Sequence, residues 1–300
     1  MKENVIDIAG LVKRFGSFSA VDGLNLQVRA GSVHGFLGPN GAGKSTTIRV
    51  LLGLLRATAG KVAVLGLDPG RKAAEVTRRV SYVPGEVTLW PNLTGQEVLD
   101  ALAGLRGTRD EAAERRLIAE FALETRRKVR TYSKGNRQKV VLVAAFAART
   151  DLLVLDEPTS GLDPLMEEVF QRCVREAAAA GRTVLLSSHI LAEVEDVCDT
   201  VTIIKDGRLV ESGRLADMRH LAASEITARL PAGQADVVVA ALRRLGTTVL
   251  PDYGMLRMNV SRSLVSSVLG VLAEANADDI TCTPARLEDL FLRHYTVAAR

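Results

Sequence analysis

Apolar and polar positions alternate with a period of two at the start of the chain: Val5-Ile6-Asp7-Ile8, then Leu24-Asn25-Leu26-Gln27-Val28, then residues 33–37. Alternation of this kind puts successive side chains on opposite faces, so these stretches read as strands. Gly16, Asp22-Gly23 and Ala30-Gly31 read as the turns between them. The pattern then becomes helical and rich in Ala, Leu and Arg over 97–124, an all-α insertion between two parts of a sheet, and continues as a buried helix over 140–148. Leu152-Leu153-Val154-Leu155 and Thr183-Val184-Leu185-Leu186 are apolar almost throughout. Parallel sheets bury such strands on both faces. Residues 201–205, Asp206-Gly207 and 208–211 read as a hairpin with a primed turn.

The character of the chain changes near 218–224. A strand (Ile226, Ala228, Leu230), a helix (235–245) and a strand (247–250) follow, then a strand (Leu256, Met258, Val260), a helix (264–273), a strand (Ile280, Cys282) and a helix (286–295). The order βαββαβα predicts a small ferredoxin-like α+β domain. It holds no cluster of catalytic residue types, so a structural or regulatory role is expected. The division this gives is 1–218 for a large domain and 219–300 for the accessory one, with a helical subdomain over about 86–138.

Composition narrows the class. Of 300 residues, 47% are hydrophobic and 25% charged, the balance of a soluble globular protein. No stretch approaches the roughly 18 apolar residues of a membrane span, and no signal peptide is visible, so a cytoplasmic location is expected. Cys173, Cys198 and Cys282 lie far apart with no metal-binding spacing and read as buried reduced thiols. The net charge of +4 is spread among 35 acidic residues. That describes a mildly basic solvated surface better than a nucleic-acid footprint.

Chemistry enters with Gly38-Pro39-Asn40-Gly41-Ala42-Gly43-Lys44-Ser45-Thr46, which fits the phosphate-cradling P-loop pattern. Glycines let consecutive backbone N–H groups turn toward one anion, and the helix that follows points its positive end at it. Lys44 reaches the β- and γ-phosphates of a nucleoside triphosphate, and the Ser45 hydroxyl is a ligand for Mg²⁺. Asp156 follows Lys44 by 112 residues, at the end of an apolar strand, with Glu157 next to it. A carboxylate there holds Mg²⁺, directly or through water, and the neighbouring one orients and polarises an attacking water.

Tyr132-Ser133-Lys134-Gly135-Asn136-Arg137-Gln138 lies between these two motifs, and begins 24 residues before Asp156. It resembles the LSGGQ signature of ATP-binding cassette (ABC) ATPases, with Ser133 and Gly135 matching and Tyr132, Lys134 and Asn136 departing from it. The resemblance covers about residues 3–215. It implies an α/β P-loop NTPase fold with an N-terminal antiparallel β subdomain and a helical insertion. It further implies that Ser160-Gly161-Leu162-Asp163-Pro164 is the D-loop, with Asp163 its acidic member, that His189 is the switch histidine, and that Phe15 stacks on adenine. Gly85, in Ser81-Tyr82-Val83-Pro84-Gly85-Glu86, stands where the family carries the Q-loop glutamine; Glu86 is the one nearby polar substitute. Trp90, the chain's single tryptophan, either borders a groove for a membrane partner or caps the helical insertion.

In this family the signature of one subunit completes the P-loop site of another, so Ser133, Lys134, Gly135 and Asn136 are expected to face a partner's ATP. The chain is similar to the ATP-binding subunits of antibiotic and multidrug exporters. The resemblance implies a membrane-spanning permease on another chain, a second ATP-binding subunit, a peripheral position on the cytoplasmic side of the membrane, and ATP with Mg²⁺ as ligands. No nucleic-acid partner is expected. The alternative is a soluble ABC-type ATPase acting on nucleic acid or ribosomes. Against it stand the short 112-residue spacing, the single cassette and the lack of zinc-type Cys pairs.

Overall fold

The computed structural model describes residues 4–221, 224–231, 233–252 and 255–283. It resolves into two units, Met1–Gly213 and Arg214–Arg300. In the first, β1 (Asn4–Phe15) and β2 (Phe18–Arg29) form an antiparallel hairpin. β3 (Val33–Leu37) and α1 (Lys44–Leu51) follow, and then β4 (Ala59–Val64) adds to the other edge of β1. This three-stranded sheet, ordered β2-β1-β4, is the antiparallel subdomain. Asp22-Gly23 is no turn: it lies inside β2, where Leu24 faces Leu11 while Asp22 faces Val12, so Gly23 is a bulge. The bulge absorbs the extra residue without ending the strand.

The remaining elements of this unit are α2 (Pro69–Arg78), β5 (Val80–Val83), α3 (Gly95–Arg106), α4 (Glu111–Glu120), α5 (Lys134–Ala147), β6 (Leu152–Asp156), α6 (Pro164–Ala179), β7 (Thr183–Ser188), α7 (Leu191–Glu195), β8 (Thr200–Lys205) and β9 (Arg208–Arg214). The second sheet runs β5-β6-β7-β3-β8-β9, and its pairs from β5 through β8 are parallel. Every residue of β3, β6 and β7 is buried, as their apolar sequences require. Phe36, Val154 and Leu185 of this sheet share one core with Ile6, Leu24 and Ile48, which fixes the P-loop helix between the two sheets. Asp206 and Gly207 both have positive φ, 50° and 76°, the geometry of the primed turn.

The helical insertion leaves the sheet after β5 and returns at its neighbour β6. Its ends are set locally. Thr94 and Glu97 form a reciprocal capping box at the start of α3, and Gly107 closes that helix at φ 76°. Ser133 caps α5 by accepting a hydrogen bond from the Asn136 N–H (3.2 Å). The far end of α5 is capped from outside the helix. Arg182 donates to the carbonyls of Ala145 (3.2 Å) and Phe146 (3.0 Å), and Arg106 to that of Ala144 (3.0 Å). Burial lowers the pKa of both guanidinium groups, that of Arg182 to about 10.

The second unit begins with α8 (Leu215–Leu221), followed by β10 (Ser224–Arg229), α9 (Ala235–Arg244), β11 (Thr248–Asp252), β12 (Met255–Val260), α10 (Val265–Glu274) and β13 (Asp278–Thr283). The sheet order β11-β12-β10-β13, with all three neighbouring pairs antiparallel, is the ferredoxin-like arrangement expected. Val238 and Leu242 of α9 and Val268 and Leu272 of α10 cover Ile226, Met258 and Val260 of the sheet. The helix expected over 286–295 lies outside the described residues. Cys173 and Cys198 are buried, and burial pushes the Cys173 thiol up to about 12. Cys282 is exposed, contrary to expectation, because every side chain of the edge strand β13 is exposed. Among the described residues no helix is long and apolar enough to cross a membrane.

Candidate functional site

The C-terminal ends of β3, β6 and β7 lie side by side, and every predicted catalytic residue hangs from one of them or from the loop it enters. This is the edge of a parallel sheet where ligands bind, since helix N-termini and strand ends converge there. The loop after β3 carries Gly38 to Gly43. Gly43 has φ 101°, and a Cβ on it would stand 2.5 Å from the Ala20 carbonyl, so only glycine closes the turn. Lys44 is buried. Its Nζ donates to the Gly38 carbonyl (2.6 Å) and the Pro39 carbonyl (3.2 Å), which holds the ammonium over the loop.

β6 delivers the two carboxylates. Asp156 is buried and accepts a hydrogen bond from the Ser187 hydroxyl at the end of β7. Glu157 has left the strand, at φ 50°, a conformation that non-glycine residues seldom adopt. Its backbone N–H donates to the Ser187 carbonyl (3.1 Å). The bend swings its side chain toward the P-loop: one oxygen lies 3.4 Å from Lys44 Nζ and the other 2.5 Å from His189 Nδ1. Lys44, Glu157 and His189 thus form a chain of three groups from three strand ends.

A groove of about 670 Å³ opens beside them, with Asn40, Gly41, Ser45, Thr46, Asp156 and Glu157 among its walls. Phe18, Arg49, Tyr82 and Glu86 also border it. Burial, with the nearby Asp156 carboxylate, pushes the Tyr82 hydroxyl up to about 12 against the opposing pull of Arg49, so it stays a neutral donor. The hydroxyl of Ser45 and the carboxylate of Asp156 are hard oxygen donors on this one wall, a donor set that suits Mg²⁺. Gly85 faces the same place: a side chain there would start 3.4 Å from the Asp156 carbonyl.

Other predicted residues stand elsewhere. Phe15, at the end of β1, is half-exposed with Lys13 Nζ 4.8 Å from its ring centre; its cross-strand neighbour Phe18 is the one that reaches the groove. Ser133, Lys134, Gly135 and Asn136 form the start of α5 and do not border the groove of their own chain. Gly135 lies against the Gly161 carbonyl, with no room for a Cβ between them. Asp163 caps α6 by accepting from the Met166 N–H (3.0 Å), so its carboxylate shapes the turn that enters that helix.

No local sequence signal marks three residues that set this geometry. Ser187 orients Asp156, while Glu193 accepts from both Ser188 (2.6 Å) and Thr159 (2.7 Å), tying the segments that carry His189 and Ser160. Gln138 donates to the Pro158 carbonyl (2.9 Å) and joins α5 to the turn after Glu157. Each bond spans distant sequence or a change of element, which leaves no periodicity to detect.

Residues 21–160 match the family model described as ABC transporter. The chain is 35% identical to a daunorubicin resistance ATP-binding protein of Streptomyces coeruleorubidus, over 97% of this chain and 96% of that one. It is 37% identical to a bacitracin transport ATP-binding protein of Bacillus licheniformis, over 69% of each. Among solved structures, an ATP-binding subunit of an ABC transporter matches with a TM-score of 0.67 and 33% identity, over 72% of this chain and 92% of that chain. A dimeric bacterial ABC transporter cassette, 21% identical, shares the fold with a TM-score of 0.63.

Proposed function

The chain belongs to the ABC transporter family, and on that footing we propose that it is the ATP-binding and ATP-hydrolysing subunit of an exporter whose membrane-spanning permease is a separate chain. The observation that carries this reading is the Lys44–Glu157–His189 chain beside a phosphate-sized loop. The relatives named above are drug-resistance and transport proteins, which supports export over work on nucleic acid or ribosomes. A drug or an antibiotic is the substrate class we assign.

In this mechanism the γ-phosphate draws Lys44 away from Glu157, because a polyanion competes better than a single carboxylate for the ammonium. Glu157, released on that side, accepts a hydrogen bond from the attacking water and polarises it, while His189 fixes the carboxylate through its Nδ1 contact. Ser45 and Asp156 would hold Mg²⁺, which would supply charge neutralisation to the phosphates. Phe18, which borders the groove, offers aromatic surface to the adenine, with Phe15 beside it across the strand pair.

The signature residues Ser133, Lys134, Gly135 and Asn136 close the site of a second subunit. Ser133 Oγ accepts from Asn136 N–H and so keeps its own hydrogen free for a phosphate oxygen. Closure of two subunits on ATP, and reopening after hydrolysis, is the motion passed to the permease. Trp90, half-exposed, belongs to the surface offered to that partner. The decisive measurement is ATP turnover per subunit against protein concentration, with co-purification of a multi-span protein from detergent-extracted membranes. Turnover should rise with concentration; concentration-independent turnover by a proven monomer overturns the shared site.

A further inference from the structure

Lys134 occupies the position at which the signature pattern carries a glycine, and its side chain is engaged. Its Nζ donates to the Ser160 hydroxyl (2.6 Å), and its Cγ and Cδ lie 3.4 Å from where a Gly161 side chain would begin. Ser160 in turn borders the nucleotide groove of the same chain. One hydrogen bond therefore joins the segment that would face a partner's ATP to the wall of the chain's own ATP groove. The bond is exposed at the Lys134 end, so water competes for it and it is readily exchanged.

The charge around Lys134 runs against ordinary helix design. The first turn of α5 has no acidic residue, although carboxylates are favoured at a helix N-terminus and cations are not. Arg137 stands one turn along, and its Nε is buried without a hydrogen-bond partner among the described residues. Cations near the positive end of a helix are opposed by its dipole. An anion brought against this end would relieve that opposition.

We propose that Lys134 is a phosphate-binding residue supplied in trans, held by Ser160 while the subunits are apart and transferred to the triphosphate of the partner's ATP when they close. The inference rests on the shared-site reading above. It adds a cation where the signature motif has only a hydroxyl and backbone N–H groups. It also gives a route from site to site, because closure over one nucleotide frees Ser160 beside the other.

The test is ATP-driven dimerisation in a Glu157→Gln background, read by analytical ultracentrifugation across ATP concentrations. Lys134→Ala should raise the ATP needed for half-dimerisation about tenfold and flatten its dependence on salt. Lys134→Arg, which keeps the charge, should stay within about threefold. Ser160→Ala should lower the requirement about two- to fivefold, since the lysine no longer has to leave a partner. Nucleotide binding by the dilute monomer, read with a fluorescent ATP analogue, should be the same for native Lys134, Lys134→Ala and Lys134→Arg. Dimerisation of Lys134→Ala at the unaltered ATP concentration overturns the inference and spares the shared site. Failure of the Glu157→Gln protein with native Lys134 to dimerise overturns both.

Discussion

Glu157 Oε2 lies 2.5 Å from His189 Nδ1, and the other oxygen of the same carboxylate is 3.4 Å from Lys44 Nζ. The carboxylate proposed to polarise water is thus held in place by one neighbour and masked by another. Only a competitor for the lysine unmasks it. On the proposed mechanism, hydrolysis then depends on a triphosphate that draws the lysine away.

Glu157→Gln keeps the shape of the side chain and removes its basicity. Steady-state phosphate release should fall by about 10²- to 10⁴-fold while ATP binding persists. His189→Ala leaves the carboxylate charged but unheld, and should cost about 10- to 100-fold in turnover with little change in ATP affinity. Equal losses in affinity and turnover for His189→Ala would remove its orienting role.

Gly85 offers space for the glutamine of the family pattern. A Cβ there meets the Asp156 carbonyl at 3.4 Å and the Glu157 Cβ at 3.6 Å, both ordinary contacts. Gly85→Gln should therefore change stability by no more than about 0.5 kcal/mol. Its amide oxygen adds a hard donor beside Asp156, so the Mg²⁺ concentration for half-maximal turnover should drop about threefold. A titration of turnover against Mg²⁺ reads this directly.

Arg182 joins the C-terminal carbonyls of α5 to Thr150, whose hydroxyl it meets at 2.8 Å, and Thr150 in turn pairs with Ser81 of β5 at 2.8 Å. Arg182→Met leaves these acceptors without a donor and should destabilise the fold by about 2–4 kcal/mol, seen as a lower denaturant midpoint. Arg182→Lys should recover part of it. An unchanged midpoint for Arg182→Met would mean that water caps the helix equally well.

His34 of β3 is buried between the hydroxyls of Thr200 (2.8 Å) and Thr202 (2.9 Å), and burial lowers its pKa to about 4. The unfolded chain takes up the proton near pH 6.5 and the folded one only near pH 4. Stability contributed by the neutral ring is therefore whole above about pH 6.5 and falls as pH drops through this window. Lowering pH from 7 to 5 should remove about 2 kcal/mol through this residue alone. The same step on His34→Gln should lose correspondingly less in urea denaturation.

Much of the fold was legible because its signals are local. The all-apolar runs at Leu152 and Thr183 could only be doubly buried strands, and both are. The period-two pattern beyond Ser224 fixed which side of the second unit's sheet is covered. Asp22-Gly23 misled because a bulge and a turn use the same residues, and pairing with β1 decides between them. Cys282 misled because nothing in the sequence around it marks β13 as an edge strand with every side chain exposed.

The sequence by itself determined the chemistry of the site: a glycine-rich loop entering a helix at Lys44, and two carboxylates at the end of a strand, have few other uses. Tertiary structure alone decided how these groups meet. The parallel order β6-β7-β3 brings residues 44, 157 and 189 to one edge, and the positive φ of Glu157 turns its side chain back to Lys44. It also put the Lys134 ammonium on Ser160, 26 residues away. Spacing along a chain records what each residue can do, whereas contacts between strand ends depend on the sheet order, which no local pattern encodes.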